Sequence, residues 1–165
     1  MKEYSLYSKE IMKHFKSPRN VGIIKNADGI GKAGNILCGD TMKIYIRVKN
    51  DRIADIKSQC MGCVVAIANT SLLTTMVKGK KLSEALKITK DDILKRFGKV
   101  PAIKIHCSVL AIDALSEAIY NYYKRNNLPI SEELENRHKR IKQTFENIEK
   151  RYKDFVKFEE KILKK

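Results

Sequence analysis

The sequence predicts an α+β protein: a small antiparallel β-sheet packed by helices, followed by a long charged C-terminal helix. Three observations carry this. From Thr41 to Lys49 the residues alternate, with Met42, Ile44, Ile46 and Val48 on one side and Lys43, Tyr45, Arg47 and Lys49 on the other. That is the period of a half-buried strand. After Gly62 the apolar residues recur at helical spacing instead. The strands are grouped ahead of these helices, which argues against a wound parallel sheet.

The elements follow in order. Residues 4–16 read as a short helix with Ile11, Met12 and Phe15 on one side, stopped by Ser17-Pro18-Arg19-Asn20. Residues 21–37 contain Gly22, Gly29, Gly31 and Gly34, which suggests loops around an irregular edge strand. After the strand 41–49, Asn50-Asp51 signals a turn, and Ile53 to Gln59 reads as the returning strand of a hairpin. Val64, Ile67, Ala68, Ser71, Leu72 and Thr75 mark a helix closed by Gly79. A short helix is expected near Ser83 to Leu86, and another after the cap residue Thr89. Pro101 marks a loop. Val109, Ile112, Leu115, Ile119 and Tyr122 then form the stripe of a helix running to about Arg125.

Leu128-Pro129 interrupts that helix and sets a boundary between a domain of residues 1–127 and an extension of residues 128–165. The extension contains no glycine and is densely charged. It opens on Ser131-Glu132-Glu133, a cap followed by acidic residues that suit the positive end of a helix dipole. Leu134, His138, Ile141, Phe145, Ile148, Tyr152, Phe155, Glu159 and Ile162 then recur in steps of four and three, a heptad seam over about four heptads. Two readings are open: a helix folded back on its own domain, or self-association through pairing of this helix between chains.

With 165 residues, one domain with an appendage is expected. The chain carries 34 Lys+Arg against 19 Asp+Glu, a net charge of +15. The lysines are scattered, and neither an arginine-rich stretch nor an aromatic-and-basic RNA-binding signature is present, so nucleic acid is not the expected partner. Abundant Lys, Glu and Ile also suit a heat-adapted surface rich in ion pairs. No run approaches the ~18 apolar residues of a membrane span. The polar start, Met1 to Glu10, is not that of a secretory signal, so a cytoplasmic location is expected. There, four cysteines are ligands, nucleophiles or core residues rather than disulfides.

Three polar clusters stand at element ends: Cys38-Gly39-Asp40 before the clean strand, Cys60-Met61-Gly62-Cys63 between strand and helix, and His106-Cys107 just before the long helix. Cys63 and Cys107 are expected at or near helix N-termini, where free N–H groups favour a thiolate and lower its pKa. His106 adds an imidazole beside Cys107. Gly39 and Gly62 leave room for a metal or cluster to approach the backbone. Asp40 adds a hard oxygen to a soft sulfur set, a mixture that zinc accepts and that matches iron–sulfur chemistry less well. Each residue alone has an ordinary alternative: a core cysteine, a turn aspartate, a surface histidine, or a zinc half-site or redox pair at Cys60-x-x-Cys63.

Together, Cys38-Gly39-Asp40, Gly62-Cys63 and Ile105-His106-Cys107-Ser108 resemble the IscU family, also found as the N-terminal domain of NifU. Ser17-Pro18-Arg19-Asn20-Val21-Gly22 resembles that family's NPRNVG segment. Ala66-Ile67-Ala68, Val77-Lys78-Gly79-Lys80, Leu110-Ala111 and Asp113-Ala114 resemble further stretches, and the match spans roughly Tyr4 to Lys124. The resemblance implies a non-enzymatic scaffold on which iron–sulfur clusters, 2Fe-2S among them, are built. Cys38, Cys63 and Cys107 take its three cysteine positions, Asp40 the aspartate that tunes cluster lability, and His106 an alternative ligand. It also implies sulfur from a cysteine desulfurase, a donor of iron and electrons, transfer to apo-proteins, and zinc in the empty site. Cys60 has no counterpart among the three. It is open to reading as a fourth ligand, a persulfide relay or a neutral core residue, and the neutral or auxiliary role is favoured. Val100-Pro101-Ala102-Ile103-Lys104 departs from the Leu-Pro-Pro-Val-Lys of many members, which puts partnership with an Hsp70-type chaperone in doubt. The alternative is a zinc-dependent sulfurtransferase of the SufU type, whose members carry an insertion between the second and third cysteines and lack the histidine. Here no insertion is evident and His106 is present.

Overall fold

The computed structural model describes residues 6–35 and 39–163, with side chains described through residue 154 and at Lys157. Cys38 therefore lies outside the described residues, as do Tyr4 and Ser5.

The first helix, α1 (Lys9–Lys16), starts later than the sequence suggests, because Ser8 caps it: its Oγ accepts the Ile11 N–H at 3.2 Å. Three strands follow: β1 (Gly29–Gly34), β2 (Thr41–Lys49) and β3 (Arg52–Met61). They form one antiparallel sheet in the order β1-β2-β3. The β2–β3 hairpin turns at Asn50 and Asp51, both at positive φ (51° and 57°), the geometry whose twist matches that of the strands. β3 runs on to Met61, so Cys60 stands inside the strand rather than beyond its end. Met42, Ile44 and Ile46 face the core as the alternation predicts. Tyr45 on the opposite face is also buried, its hydroxyl donating to Gln59 Oε1 at 2.8 Å.

The helices are α2 (Val64–Val77), α3 (Leu82–Ala85), α4 (Lys90–Phe97), α5 (His106–Arg125) and α6 (Glu132–Leu163). A short 3-10 turn, Ala102–Lys104, leads into α5. Thr89 caps α4 reciprocally: its Oγ1 accepts the Asp92 N–H while Asp92 Oδ2 accepts the Thr89 N–H. α2 does not present the single apolar stripe that its spacing suggested. It is enclosed on nearly every side, with Val65, Ala66, Asn69 and Leu73 fully buried and Val64 and Ile67 less so. α5 begins at His106, so His106 and Cys107 are the first residues of the helix, not its approach.

α5 lies directly on β1. A Cβ on Gly31 would run into the Ala114 carbonyl and the Ala118 amide, and one on Gly29 into the Ala118 carbonyl. The two glycines let backbone meet backbone. Asn121 and Arg125 then seal the strand, Asn121 Oδ1 accepting the Ile30 N–H at 3.1 Å and Arg125 donating to the Ala27 carbonyl at 3.0 Å.

The first half of α6 folds back on its own chain. Leu134 and Ile141 are buried. Arg137 donates to Ser116 Oγ at 2.7 Å, His138 stacks on Tyr120 at 3.9 Å with its Nδ1 3.0 Å from Glu117, and Arg140 makes a paired contact with Asp113 at 2.9 and 3.2 Å. Partners on α5 come earlier as α6 advances, so the two helices run antiparallel. Phe145 and Ile148 reach Gly34 of β1. Past them the helix leaves the body, and Tyr152 is 70% exposed.

Removing residues 128–165 exposes what Leu134 and Ile141 cover, each worth roughly 1.5–3 kcal/mol. Tm is expected to fall by about 10 °C, at roughly 2–4 °C per kcal/mol for a chain of this size. Truncation after Glu149 is expected to shift it by less than about 2 °C. Thermal melts followed by circular dichroism check both, and equal losses would show that the distal half is packed too.

Candidate metal centre

Three chain segments bring the chemistry together. The first is the residue before β2. Gly39 takes φ +70°, a left-handed conformation that glycine adopts without strain. Asp40 follows, only 2% exposed, its carbonyl accepting the Asn35 N–H across the end of the β1–β2 ladder at 3.0 Å. The second is the start of α2, where Cys63 is the N-cap residue. Its side chain makes no capping bond. Its own N–H donates to Asp40 Oδ1 at 3.2 Å. The third is the first turn of α5, with His106 half-buried and Cys107 fully buried.

The donor atoms converge. Asp40 Oδ2 lies 3.5 Å from Cys107 Sγ and 3.7 Å from Cys63 Sγ. The two sulfurs are 3.7 Å apart, and His106 Nε2 is 3.6 Å from Cys107 Sγ. A disulfide needs about 2.05 Å, so both thiols are free. Tetrahedral zinc with bonds of about 2.3 Å to sulfur and about 2.0–2.1 Å to nitrogen or oxygen holds its ligands roughly 3.5–3.8 Å apart. Asp40 Oδ2 and the sulfurs of Cys63 and Cys107 have that spacing from one another, and His106 Nε2 has it from Cys107. Atoms of Asp40, His106 and Cys107 lie within 4.8 Å of one another.

Gly62 matters for a reason other than the one its position suggested. A Cβ there would stand 2.7 Å from Asp40 Oδ1 and 2.8 Å from its Cγ. The space that glycine opens is filled by the Asp40 carboxylate, not left for a cluster to approach the backbone. Among the described residues, none beyond Gly39's chain neighbours lies within 4 Å of where a Gly39 Cβ would stand.

The electrostatics overturn one expectation. A helix N-terminus was expected to lower the Cys107 pKa. Instead burial pushes this thiol far above its ordinary value, and the neighbouring Cys63 sulfur and Asp40 carboxylate act in the same sense. A sulfur without solvent contact, facing two other anion-forming groups, keeps its proton until a cation arrives. Lys104, on the 3-10 turn, responds in the opposite way: the Cys63 sulfur first, then Cys107 and Asp40, hold it more firmly as a cation. Its place beside the site was not evident from the sequence, where it is one lysine among many.

Cys60 lies within electrostatic reach of Asp40 and Cys63. It is half-buried in β3 and packed against the core. Burial is the main cause that raises its pKa to about 11, against a hydrogen bond from Thr70. This agrees with a neutral thiol.

The fold and these donors define a class: a small α+β protein with a thiol, carboxylate and imidazole centre built at the ends of β2, α2 and α5. Within that class the family is specific. The chain belongs to the family described as NifU-like N terminal domain, which it matches over residues 6–129. It is 53% identical over 121 residues to the iron–sulfur cluster assembly scaffold protein IscU 1 of Archaeoglobus fulgidus, covering 73% of this chain and 79% of that one. It is 44% identical over 118 residues to the IscU scaffold protein of Aquifex aeolicus, covering 70% and 75%. Among solved structures it resembles an iron–sulfur cluster assembly scaffold protein for the SUF system of Fervidobacterium islandicum, with TM-score 0.60 and 25% identity, covering 69% of this chain and 96% of that one.

The raised Cys60 pKa has a readable consequence. Near pH 8 the thiolate fraction at Cys60 is about a hundredfold below that of a thiol with the ordinary value of 9.0. Its alkylation in the folded, metal-free protein is expected to be correspondingly slow, to rise steeply towards pH 11, and to become fast on unfolding. Site-resolved mass spectrometry after timed iodoacetamide treatment measures this, and rapid labelling at pH 8 would contradict it.

Proposed function

We propose that this protein is a scaffold on which iron–sulfur clusters are assembled and from which they are passed to apo-proteins. The observation that carries the reading is the meeting of Asp40, Cys63 and Cys107 at ligand spacing, with His106 beside Cys107, in a chain of the NifU-like family. Relatives at 53% and 44% identity bear the name of such scaffolds. In this reading the cluster is cargo, and the chain is a carrier rather than a catalyst. Cys38, Cys63 and Cys107 supply thiolates, Asp40 a fourth donor, and His106 an alternative one. The cargo is a 2Fe-2S cluster, and zinc takes the same donors when no cluster is present. Sulfur arrives as persulfide from a cysteine desulfurase, with iron and electrons from separate donors, in the cytoplasm. Residues 1–127 hold the site, and residues 128–165 form an extension that contributes no ligand.

The chain's own groups explain why such a site holds cargo only for a time. Asp40 is fixed by the Cys63 N–H, so its Oδ2 stays aimed at the two sulfurs. A carboxylate oxygen binds iron of a sulfide cluster more weakly than a thiolate does. Burial and the mutual repulsion of the donors favour the protonated Cys107 thiol once the cation leaves, so loss of cargo and uptake of protons reinforce each other. Two large apolar side chains stand close by in the chain, Met61 two residues before Cys63 and Ile103 three before His106, exposed by 72% and 78%. Exposed apolar groups beside a site suit docking of a protein partner.

Asp40→Ala is expected to prolong the life of a reconstituted cluster about tenfold and to slow its transfer to an apo-ferredoxin. The same change leaves the Cys63 N–H without its acceptor and costs the cluster-free protein about 1–3 kcal/mol. Anaerobic decay and transfer followed by visible absorbance test the first part, and a denaturant melt the second. Faster cluster loss in a folded variant would overturn the role given to Asp40.

Single serine variants at Cys38, Cys63 and Cys107 are each expected to abolish cluster assembly, while Cys60→Ser retains it. Acid-labile sulfide and iron, measured after anaerobic reconstitution, decide between them. A colourless wild-type protein that holds one zinc and stimulates a desulfurase without taking up a cluster would favour the sulfurtransferase instead.

A further inference from the structure

The extension was expected to stand clear of the chemistry. Its contacts lead back to it. In β1, Gly29, Gly31 and Ala33 face α5 and the core, so Ile30, Lys32 and Gly34 face the other side of the sheet. There Ile30 and Lys32 are exposed, yet Gly34 is buried. What covers it is α6. The Phe145 ring and Ile148 Cδ1 come within 3.3–3.5 Å of the point where a Gly34 Cβ would stand, and Lys32 Nζ lies over the same ring, 5.4 Å from its centroid. The helix thus holds α5 with its first turns and crosses to the outer face of β1 with its middle turns.

Gly34 is the last rung of the β1–β2 ladder, paired with Thr41. One residue further, the Asn35 N–H donates to the Asp40 carbonyl. Asp40 in turn holds the Cys63 N–H and faces both sulfurs. An unbroken chain of contacts therefore runs from Phe145 and Ile148 through Gly34 and Asn35 to Asp40 and the donor set. A three-stranded sheet has little to steady the end of an edge strand, and the end of β1 is where the site begins.

We propose that Phe145 and Ile148 of α6 are positioning residues for the metal centre: by seating on Gly34 they clamp the end of the β1–β2 ladder, fix Asp40 against Cys63 and Cys107, and so set how long the site holds its metal cargo. Their seat is Gly34, and both act through the strand end. The inference rests on the metal-binding reading above, and its test keeps the two separable.

The experiment uses the full chain with zinc as probe. Zinc-loaded wild type, Phe145→Ala, Phe145→Leu, Tyr152→Ala and Ile93→Ala are mixed with excess chelator and the rate of zinc loss is followed. Ile93 is a core residue of α4, a helix that packs on α1, α2 and α5, and its truncation serves as a destabilised comparison. Phe145→Ala is expected to speed zinc loss about fivefold, with Phe145→Leu restoring most of the difference and the exposed Tyr152→Ala behaving as wild type. In the metal-free proteins, hydrogen exchange at the Cys63 amide is expected to accelerate by a similar factor in Phe145→Ala and not in Tyr152→Ala. Zinc loss and Cys63 exchange in Phe145→Ala equal to wild type, or an equal acceleration in Ile93→Ala, would overturn the proposal and leave the ring a source of stability alone. If wild type takes up no zinc, the metal-binding reading fails, and the Cys63 exchange by itself decides whether the clamp exists.

Discussion

The direct contact between α5 and β1 is the constraint on which the rest depends. With glycine at positions 29 and 31, the backbone of α5 rests on the strand with no side chain between them at Ala114 and Ala118. Such an approach fixes the height and direction of the helix over the sheet more tightly than interdigitating side chains would. It determines where the first turn of α5 falls, and that is beside the end of β1 and the start of β2. Cys107 meets Asp40 for this reason, although 67 residues separate them. α2 enters from the far edge, because β3 ends at Met61 and turns through Gly62 into the helix. The centre is thus assembled at one end of the sheet from the termini of three rigid elements. The ends of the elements supply the chemistry, and their packing supplies the distances.

Within that frame Asp40 does two things that would conflict in a solvent-exposed residue. One oxygen satisfies the Cys63 amide, a backbone donor that the N-terminus of α2 would otherwise leave without a partner. The other faces sulfur. Gly62 is what permits this, since any side chain there would displace the carboxylate. Crowding a carboxylate against two thiols is unfavourable for anions, and burial makes it more so. Without metal the buried Cys107 therefore keeps its proton, and a cation must displace it. The interior electrostatics of this site suit a group that arrives and leaves, in contrast to the closed ligand shell of a purely structural metal.

What could be read from the sequence depended on whether each element has one buried face. β2 was legible because its core side and outer side differ in composition along nearly its whole length. The capping of α4 by Thr89 was legible because capping is local. α2 was legible as a helix but not in its packing, since a helix enclosed on all sides has no stripe to betray orientation. β1 was legible only as an irregular edge strand somewhere in residues 21–37. Its glycines break any strand pattern, and Gly29 and Gly31 are there for the sake of α5, more than eighty residues away. The site showed the same division. Cysteine, aspartate and histidine at element ends announced themselves, but the sign of the Cys107 shift did not. Proximity to a helix N-terminus is visible in sequence, whereas burial beside a second thiol is a property of the fold. The same holds for Gly62, whose purpose appears only when Asp40 is seen beneath it.

The heptad seam of the extension shows where pattern and partner part company. A recurrence in steps of four and three states that one side of a helix meets an apolar surface at regular intervals. It does not state whose surface that is. His138 is a polar residue in a seam that is otherwise mostly apolar. Against α5 it is no interruption: its ring stacks on Tyr120 and its Nδ1 meets Glu117, a carboxyl that burial alone would drive towards its neutral form and that the histidine draws back. Arg137 and Arg140 on either side meet Ser116 and Asp113, also on α5. A polar residue in an apolar seam fixes register and partner, because only one alignment satisfies it. Here the satisfied alignment is antiparallel and within the chain, and it is the one that carries Phe145 to Gly34. The seam continues past Ile148 with no further surface of this chain at Tyr152. The first half of the helix is thus committed to its own domain by its polar residues, and from residue 149 to 154 the described side chains are exposed.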